Sequence, residues 1–331
     1  MAVYNQIYTK EKFSRVYPEN RRILEDFVIE LRQTKKSNGT IKQYTNDIRM
    51  AYIYMLDYCD NKSVLEMTRR DFRGMSMWFS DTCHMSAARV NRILSSLRSL
   101  LDFVEDEEEY NYNNNVTKRV KGLPKKPVRE ICFLSNDSIM KLEERLLGKK
   151  EYQKATLVML LYDSAARRNE VAQVKKYSFM DKNKSCTNKV TGKRGKVFPL
   201  IYHSETKRCA ELWLKQRGDD DIDELFILEE NGEKRPASDK NIYKWIVGLR
   251  KEIEAIDGKH AEFNVHSFRH SAMENYSTGT HYFCIEHGMK GISLEKLSKL
   301  ANHSNISTTQ GYLKDKSMEE LEEVFGISLS D

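Results

Sequence analysis

Apolar residues recur at helical spacing in two separate stretches of the chain. In the first, Ile23, Leu24, Phe27, Val28 and Leu31 fall on one helical face, which Gly39 is expected to break. Ile41, Tyr44, Ile48, Tyr52, Met55 and Leu56 mark a second helix. Thr68 with Asp71 three residues on predicts a capping box opening a short third helix that holds Phe72, Met75, Trp78 and Phe79. Ser86 predicts the start of a fourth, whose buried stripe is Val90, Ile93, Leu94, Leu97, Leu101 and Val104. Arg89, Arg92 and Arg98 lie off that stripe. A small helical bundle is expected over residues 1–110.

Residues 111–130 change character. Asn113, Asn114 and Asn115 lead into Lys118, Arg119, Lys121, Lys125, Lys126 and Arg129, with two prolines and no acid from 118 to 129. This reads as a basic interdomain linker. A second domain over residues 131–331 opens with Ser135 capping a helix that carries Ile139, Leu142 and Leu146. Residues 155–166 predict a largely apolar, buried helix. Residues 186–190 and 196–200 are short and partly β-branched, and the Gly192–Gly195 turn between them predicts a β-hairpin. Helices are expected again at 204–216, 238–256, 266–277 and 293–301. The fold class is therefore mainly α with a small β-sheet in the C-terminal domain, an α+β arrangement.

Length and composition agree. At 331 residues the chain is too long for one core and fits two domains. Its 40% hydrophobic and 31% charged residues, with few prolines, describe a folded, soluble chain. The formal net charge of +6 permits a nucleic-acid partner without establishing one. Six scattered cysteines with no C-x-x-C pair suit free thiols in a reducing compartment. No apolar run approaches the roughly 18 residues of a membrane span, and the N-terminus lacks the apolar core of a signal peptide. A cytoplasmic protein with no membrane partner is expected.

Four local patterns carry candidate chemistry: an apolar helix ending in Arg167 with Glu170 three residues on; the Gly192-Lys193-Arg194-Gly195-Lys196 turn; His266-Ser267-Phe268-Arg269-His270; and Asn302-His303 followed by Ser307-Thr308-Thr309 and Tyr312. Any one of them alone suits a capping residue, a turn, a surface pair or packing. His266 and Arg269, three apart, share a helical face. Together two arginines can hold the charge that gathers on a phosphodiester under attack, a lysine can protonate a departing oxygen, and a histidine can move a proton. A tyrosine hydroxyl can form a covalent ester.

In this order and spacing, the patterns resemble the tyrosine recombinase, or phage integrase, family. The resemblance covers nearly the whole chain, and the stretch from His303 to Tyr312 is its most specific part. It implies a two-domain DNA clamp, with a helical core-binding domain followed by a catalytic domain. Arg167 then matches the first catalytic arginine and Glu170 the acid supporting it. Lys193 matches the hairpin lysine, with Lys196 a competitor for that role. His266 and Arg269 match the His-x-x-Arg pair, His303 the last basic residue and Tyr312 the nucleophile. Ser164-Ala165-Ala166 stands where the family usually has a glycine, Asn302 replaces another, and residues 278–291 look like an insertion.

The implied activity is site-specific DNA recombination through a 3′-phosphotyrosyl intermediate. A topoisomerase-like cleavage and resealing, or a DNA-binding module without catalysis, are the alternatives. The implied partner is double-stranded DNA with inverted-repeat core sites, bound by a homotetramer. Lys42, Arg89, Arg92, Arg98, Lys118, Arg119, Lys121, Lys125 and Lys126 are the candidate DNA contacts. No cofactor or metal is expected, because the arginines supply the positive charge, acids do not cluster for two-metal chemistry, and no phosphate-binding glycine loop is present. His281, Cys284 and His287 match no standard zinc spacing and are expected to pack. The chain before Asn20 is too short for an arm-binding domain, so only core sites are expected to be read. Met318, Leu321, Val324 and Phe325 predict an amphipathic tail helix, which the resemblance suggests is donated to a neighbouring protomer.

Overall fold

The computed structural model describes residues 3–124, 132–181, 183–258 and 263–314. The chain divides into two compact units, Met1–Val128 and Arg129–Asp331.

The first unit is all helical among its described residues. Helices Pro18–Gln33, Asn38–Tyr58, Arg69–Met77 and Ala87–Asp106 surround one apolar core. The Thr68–Asp71 capping box is present, and the Ser86 hydroxyl accepts from the Arg89 amide, so both helix starts form for the reasons read from sequence. Gly39 does not break a helix. The first helix ends at Gln33, Lys35 takes a left-handed backbone, and Ser37 caps the next helix, leaving Gly39 in its first turn. Two short helices, Val3–Ile7 and Lys10–Ser14, pack on Asn38–Tyr58 and were not anticipated.

The expected linker also differs. Residues 111–124 lie on the first unit rather than bridging away from it. Val120 is buried in its core, and the Asn91 side chain pairs with both the amide and the carbonyl of Leu123, at 2.7 and 2.8 Å. A short apolar side chain every few residues is enough to hold a polar, basic run against a core, and charge alone did not reveal that.

The second unit is built on helix Tyr152–Ser164, buried from Ala155 onward. Around it pack Asn136–Gly148, Ser204–Arg217 and Val265–Thr278. The expected hairpin pairs Cys186–Thr191 with Val197–Ile201, antiparallel. A second hairpin, Ile227–Glu230 with Glu233–Pro236, turns through Asn231 and Gly232, both at positive φ. Asn-Gly is a strong hairpin signal, and this hairpin adds to the one expected from the sequence. The helix expected at 238–256 is two, Asp239–Gly248 and Arg250–Asp257. The suspected insertion forms a short helix, Tyr282–Glu286, over the core. There His281 is buried, stacked 3.8 Å from the Tyr276 ring and 4.1 Å from that of Tyr162, and packs as expected. Among the described residues no group of His, Cys, Asp and Glu gathers as a metal site, and no helix is long and apolar enough to cross a membrane.

Candidate active site

The site forms where three chain reversals of the second unit converge. Helix Tyr152–Ser164 ends because Ala165 adopts a left-handed backbone, φ 49°. Glycine takes that conformation without penalty, which explains the glycine usual near this point; alanine pays a steric cost of about 1–2 kcal/mol. The reversal delivers Arg167 to the surface side of the core. Its guanidinium donates to Glu170 at 3.0 Å, and its backbone amide donates to the other Glu170 oxygen at 2.8 Å. Glu170 is buried and so fixes an arginine that stays partly exposed.

The hairpin leans on the same place. A side-chain carbon on Gly192 would sit 2.6 Å from the Phe198 ring and 3.0 Å from Glu170, so only glycine lets the turn approach. Gln173 fastens the strand from the other side, its amide exchanging hydrogen bonds with the Thr191 amide and carbonyl at 2.9 and 3.0 Å. Lys193, Arg194 and Lys196 thereby line an open cavity of about 340 Å³ together with Arg167, Asn302 and His303. Both candidate lysines face it.

Arg269 comes from helix Val265–Thr278, started by Asn264, and is 1% exposed. Its donors reach the Ala165 carbonyl, the Ala301 carbonyl at 2.8 Å and His303 Nε2 at 2.6 Å, while Nε has no partner. Among the described residues no carboxylate pairs with it. Burial, and then the charge of Arg167, lowers its pKa to about 10, so it remains a cation at neutral pH. His266 shares the helix but not the burial: it is exposed on the first turn. Partial desolvation of its ring, followed by the charges of Arg269, His270 and the two neighbouring arginines, lowers its pKa.

Asn302 repeats the device at Ala165: φ 49°, in a residue that tolerates it. His303 follows. Because arginine only donates, His303 Nε2 is an acceptor and the proton sits on Nδ1, which donates to Thr309 Oγ1 at 2.9 Å. Burial, Arg269, Arg167 and Lys196 lower its pKa to about 4, so it is neutral at neutral pH. Tyr312 follows the short helix Ile306–Gln310. Its ring lies 5.2 Å from that of His303 and 5.0 Å from the Arg269 guanidinium carbon. Arg167, Arg269, His303 and Tyr312 therefore meet as one cluster edged by the hairpin lysines. Thr309, Gln173 and His270 belong to the cluster but were not singled out from sequence, though Thr309 and His270 sit inside the quoted motifs.

The Phage integrase family profile matches residues 132–319, and that of the Phage integrase N-terminal SAM-like domain matches residues 24–108. The chain belongs to the phage integrase family. This integrase-family protein is accordingly an enzyme of the tyrosine recombinase type, which cleaves and rejoins DNA. It is 23% identical over 305 residues to a tyrosine recombinase of Thermosipho africanus, covering 88% of this chain and 93% of that one. It is 22% identical to tyrosine recombinase XerC of Leptospira interrogans, covering 87% and 86%. Its fold resembles a lambda integrase dimer bound to a core site, TM-score 0.66 at 14% identity, covering 90% and 96%. It also resembles XerH site-specific recombinase in a post-cleavage complex, TM-score 0.66 at 17% identity, covering 92% and 83%.

In the first unit, the other candidate contacts fall into three groups. Lys42, Arg119 and Lys121 are exposed. Arg89 and Arg92 flank buried Asp47, at 2.5 and 3.4 Å, so a carboxylate missed from sequence orients both. Arg98 instead donates to the carbonyls of Thr117 and Val120, and Lys118 pairs with Asp102 and Glu105. Those two residues hold residues 111–124 in place rather than presenting free charge. Lys125 and Lys126 lie outside the described residues.

Proposed function

We propose that this integrase-family protein performs site-specific recombination by attack of the Tyr312 hydroxyl on a DNA phosphate, giving a 3′-phosphotyrosyl bond and a free 5′ hydroxyl. The observation that carries the assignment is Arg269: a buried cation with a bare Nε, no carboxylate, and the Tyr312 ring against it. A phosphate supplies the anion such a group lacks. Arg167, aligned by Glu170, grips a second non-bridging oxygen. Neutral His303 accepts from the Arg269 guanidinium at Nε2; when the phosphate draws that guanidinium to itself, Nε2 is freed to take the proton of the Tyr312 hydroxyl and then to donate to the phosphate. Lys193 protonates the departing 5′ oxygen, with Lys196 the competitor in the same cavity. His266 stands in the field of both arginines and supports proton transfer. Arg89, Arg92, Lys42, Arg119 and Lys121 track the duplex backbone or reach base edges.

The further reading is a homotetramer on paired inverted-repeat core sites, acting in the cytoplasm. The tail helix expected after residue 315 lies outside the described residues. Donation of it head to tail around a ring would close a cyclic tetramer and couple neighbouring Tyr312 residues.

The test uses the full chain and a duplex nicked near the scissile phosphate, so that the cleaved strand escapes and the adduct accumulates. The wild-type protein is expected to form a denaturant-stable adduct mapping to Tyr312, and Tyr312→Phe to bind the site without forming it. An adduct on another residue overturns the assignment.

A further inference from the structure

Tyr312 is held weakly by its own segment. It follows a five-residue helix, and its amide donates to Thr309 across a single turn at 2.9 Å. What grips it from outside is His270, which is adjacent in sequence to Arg269 and on the same helix. The His270 Nδ1 lies 3.0 Å from the Tyr312 carbonyl oxygen. A carbonyl only accepts, so Nδ1 carries the proton and donates it. The two rings pack with centroids 4.5 Å apart at 35°. Behind His270, the edge of Phe133 meets its ring at 5.6 Å and 76°. The His303 ring also stacks with that of Tyr312, centroids 5.2 Å apart. The result is a ladder of Phe133, His270, Tyr312 and His303, with the Arg269 guanidinium against the Tyr312 ring.

We propose that His270 is a positioning residue for the nucleophile, fixing Tyr312 through its backbone carbonyl and its ring so that the hydroxyl is held to the phosphate gripped by Arg269. The inference rests on Tyr312 being the nucleophile. Successive helical residues point about 100° apart, so one turn can send Arg269 inward to the phosphate and His270 sideways to the tyrosine. Donor and nucleophile are thereby referenced to the same rigid element, and a misplacement of about 1 Å in such a pair costs about 10²-fold in rate. The half-buried His270 ring has its pKa lowered by desolvation, partly offset by the Tyr312 carbonyl. It therefore does this work neutral and has no need to exchange a proton.

Three full-length variants separate the two contacts. His270→Asn keeps a donor near Nδ1 and loses the ring, His270→Phe keeps the ring and loses the donor, and His270→Ala loses both. Single-turnover cleavage of the nicked duplex should fall about 30- to 100-fold in His270→Ala, by the same misplacement argument. His270→Asn and His270→Phe should each recover part of the loss, and site affinity should change less than about threefold in all three. A fluorotyrosine placed at position 312 of the free protein reports the clamp without catalysis: its fluorine resonance should move towards the solvent-exposed position in His270→Ala. Wild-type cleavage rates in all three variants, or an unmoved resonance, overturn the proposal. So does a loss in His270→Ala that neither His270→Asn nor His270→Phe relieves, because that marks a structural role. If the wild-type adduct does not map to Tyr312, the nucleophile assignment fails instead, and the two failures are distinguishable.

Discussion

Among its described residues the second unit buries two arginines, and they are built differently. Arg217 ends helix Ser204–Arg217 with both terminal nitrogens and Nε spent. Nε and Nη2 grip the two Asp220 oxygens at 2.6 and 2.5 Å, and the Glu224, Leu225 and Ile222 carbonyls take the remaining donors. Those hydrogen bonds hold Asp220 well below the usual carboxylate range. Arg269, equally buried, has two carbonyls, a neutral histidine and a bare Nε. A buried cation is neutralised at its own expense unless an anion accompanies it. Arg217 brings its anion in the chain, and Arg269 waits for one from the substrate. Burial with a carboxylate marks a brace for the fold, whereas burial without one marks a binding group.

Exchanging each arginine for alanine breaks the comparison most sharply. Arg217→Ala leaves Asp220 only its weaker pairs with Lys176 and Lys234 and strips the donors from the Ile222, Glu224 and Leu225 carbonyls. It should cost about 3 kcal/mol of stability, read by denaturant unfolding, with cleavage per folded molecule nearly unchanged. Arg269→Ala should do the reverse: cleavage slowed about 10²- to 10³-fold, as for other lost transition-state donors, with a smaller loss of stability than Arg217→Ala, because removing a buried cation that has no carboxylate offsets the lost bonds to the Ala165 and Ala301 carbonyls. Similar effects of both substitutions on stability and rate would erase the distinction.

The pH dependence of stability sharpens it next. Asp220 has a depressed folded pKa, so its contribution is complete above the unfolded value of about 4 and is lost as pH falls below that. His303 beside Arg269 titrates near 4 in the fold against 6.5 ordinarily. As pH falls from 6.5 to 4 the unfolded chain takes up that proton and the folded chain does not, so stability declines across this window. His303→Gln should make that decline shallower by one histidine's share, the half-buried ring of His203, likewise lowered to about 4, keeping its own. Asp220→Asn should leave the slope unchanged while reducing the further loss below pH 4. Unfolding measured at several pH values separates the two.

The smallest effect concerns the scaffold that aims Arg269. Ala165 presents one of its two carbonyls from a left-handed backbone. Ala165→Gly should raise stability by about 1 kcal/mol, because glycine relieves the strain and only part of that gain is offset by its freer unfolded chain. A destabilised variant would show that the methyl group contributes more packing than its backbone costs.

Much of this was legible in the sequence, because local chemistry decided it. The capping serines and the Thr68–Asp71 box act within one turn, and the apolar run at residues 155–164 could only be core. Ala165 and Asn302 stand out in the sequence as departures from glycine, and their left-handed backbone explains why glycine is usual there. Contacts between distant segments were not legible. Asp47 looks like any helical acid until Arg89 and Arg92 close over it, and His270 looks like a neighbour of Arg269 until Tyr312 arrives 42 residues later. Lys118 and Arg98 read as free charge because nothing local shows that residues 111–124 fold back. Lys193 and Lys196 stay indistinguishable by position, because they line one cavity from either side of a turn.

The central claim is that Arg269 is held without an anion because the scissile phosphate supplies it. The most direct measurement compares wild-type and Arg269→Ala cleavage on a nicked duplex whose scissile phosphate is either natural or replaced by an uncharged methylphosphonate. On the natural phosphate the variant should be slower by about 10²-fold or more. On the methylphosphonate, where there is no full negative charge to meet, the gap should shrink to within about tenfold. An equal gap on both substrates would contradict the claim and make Arg269 a structural group.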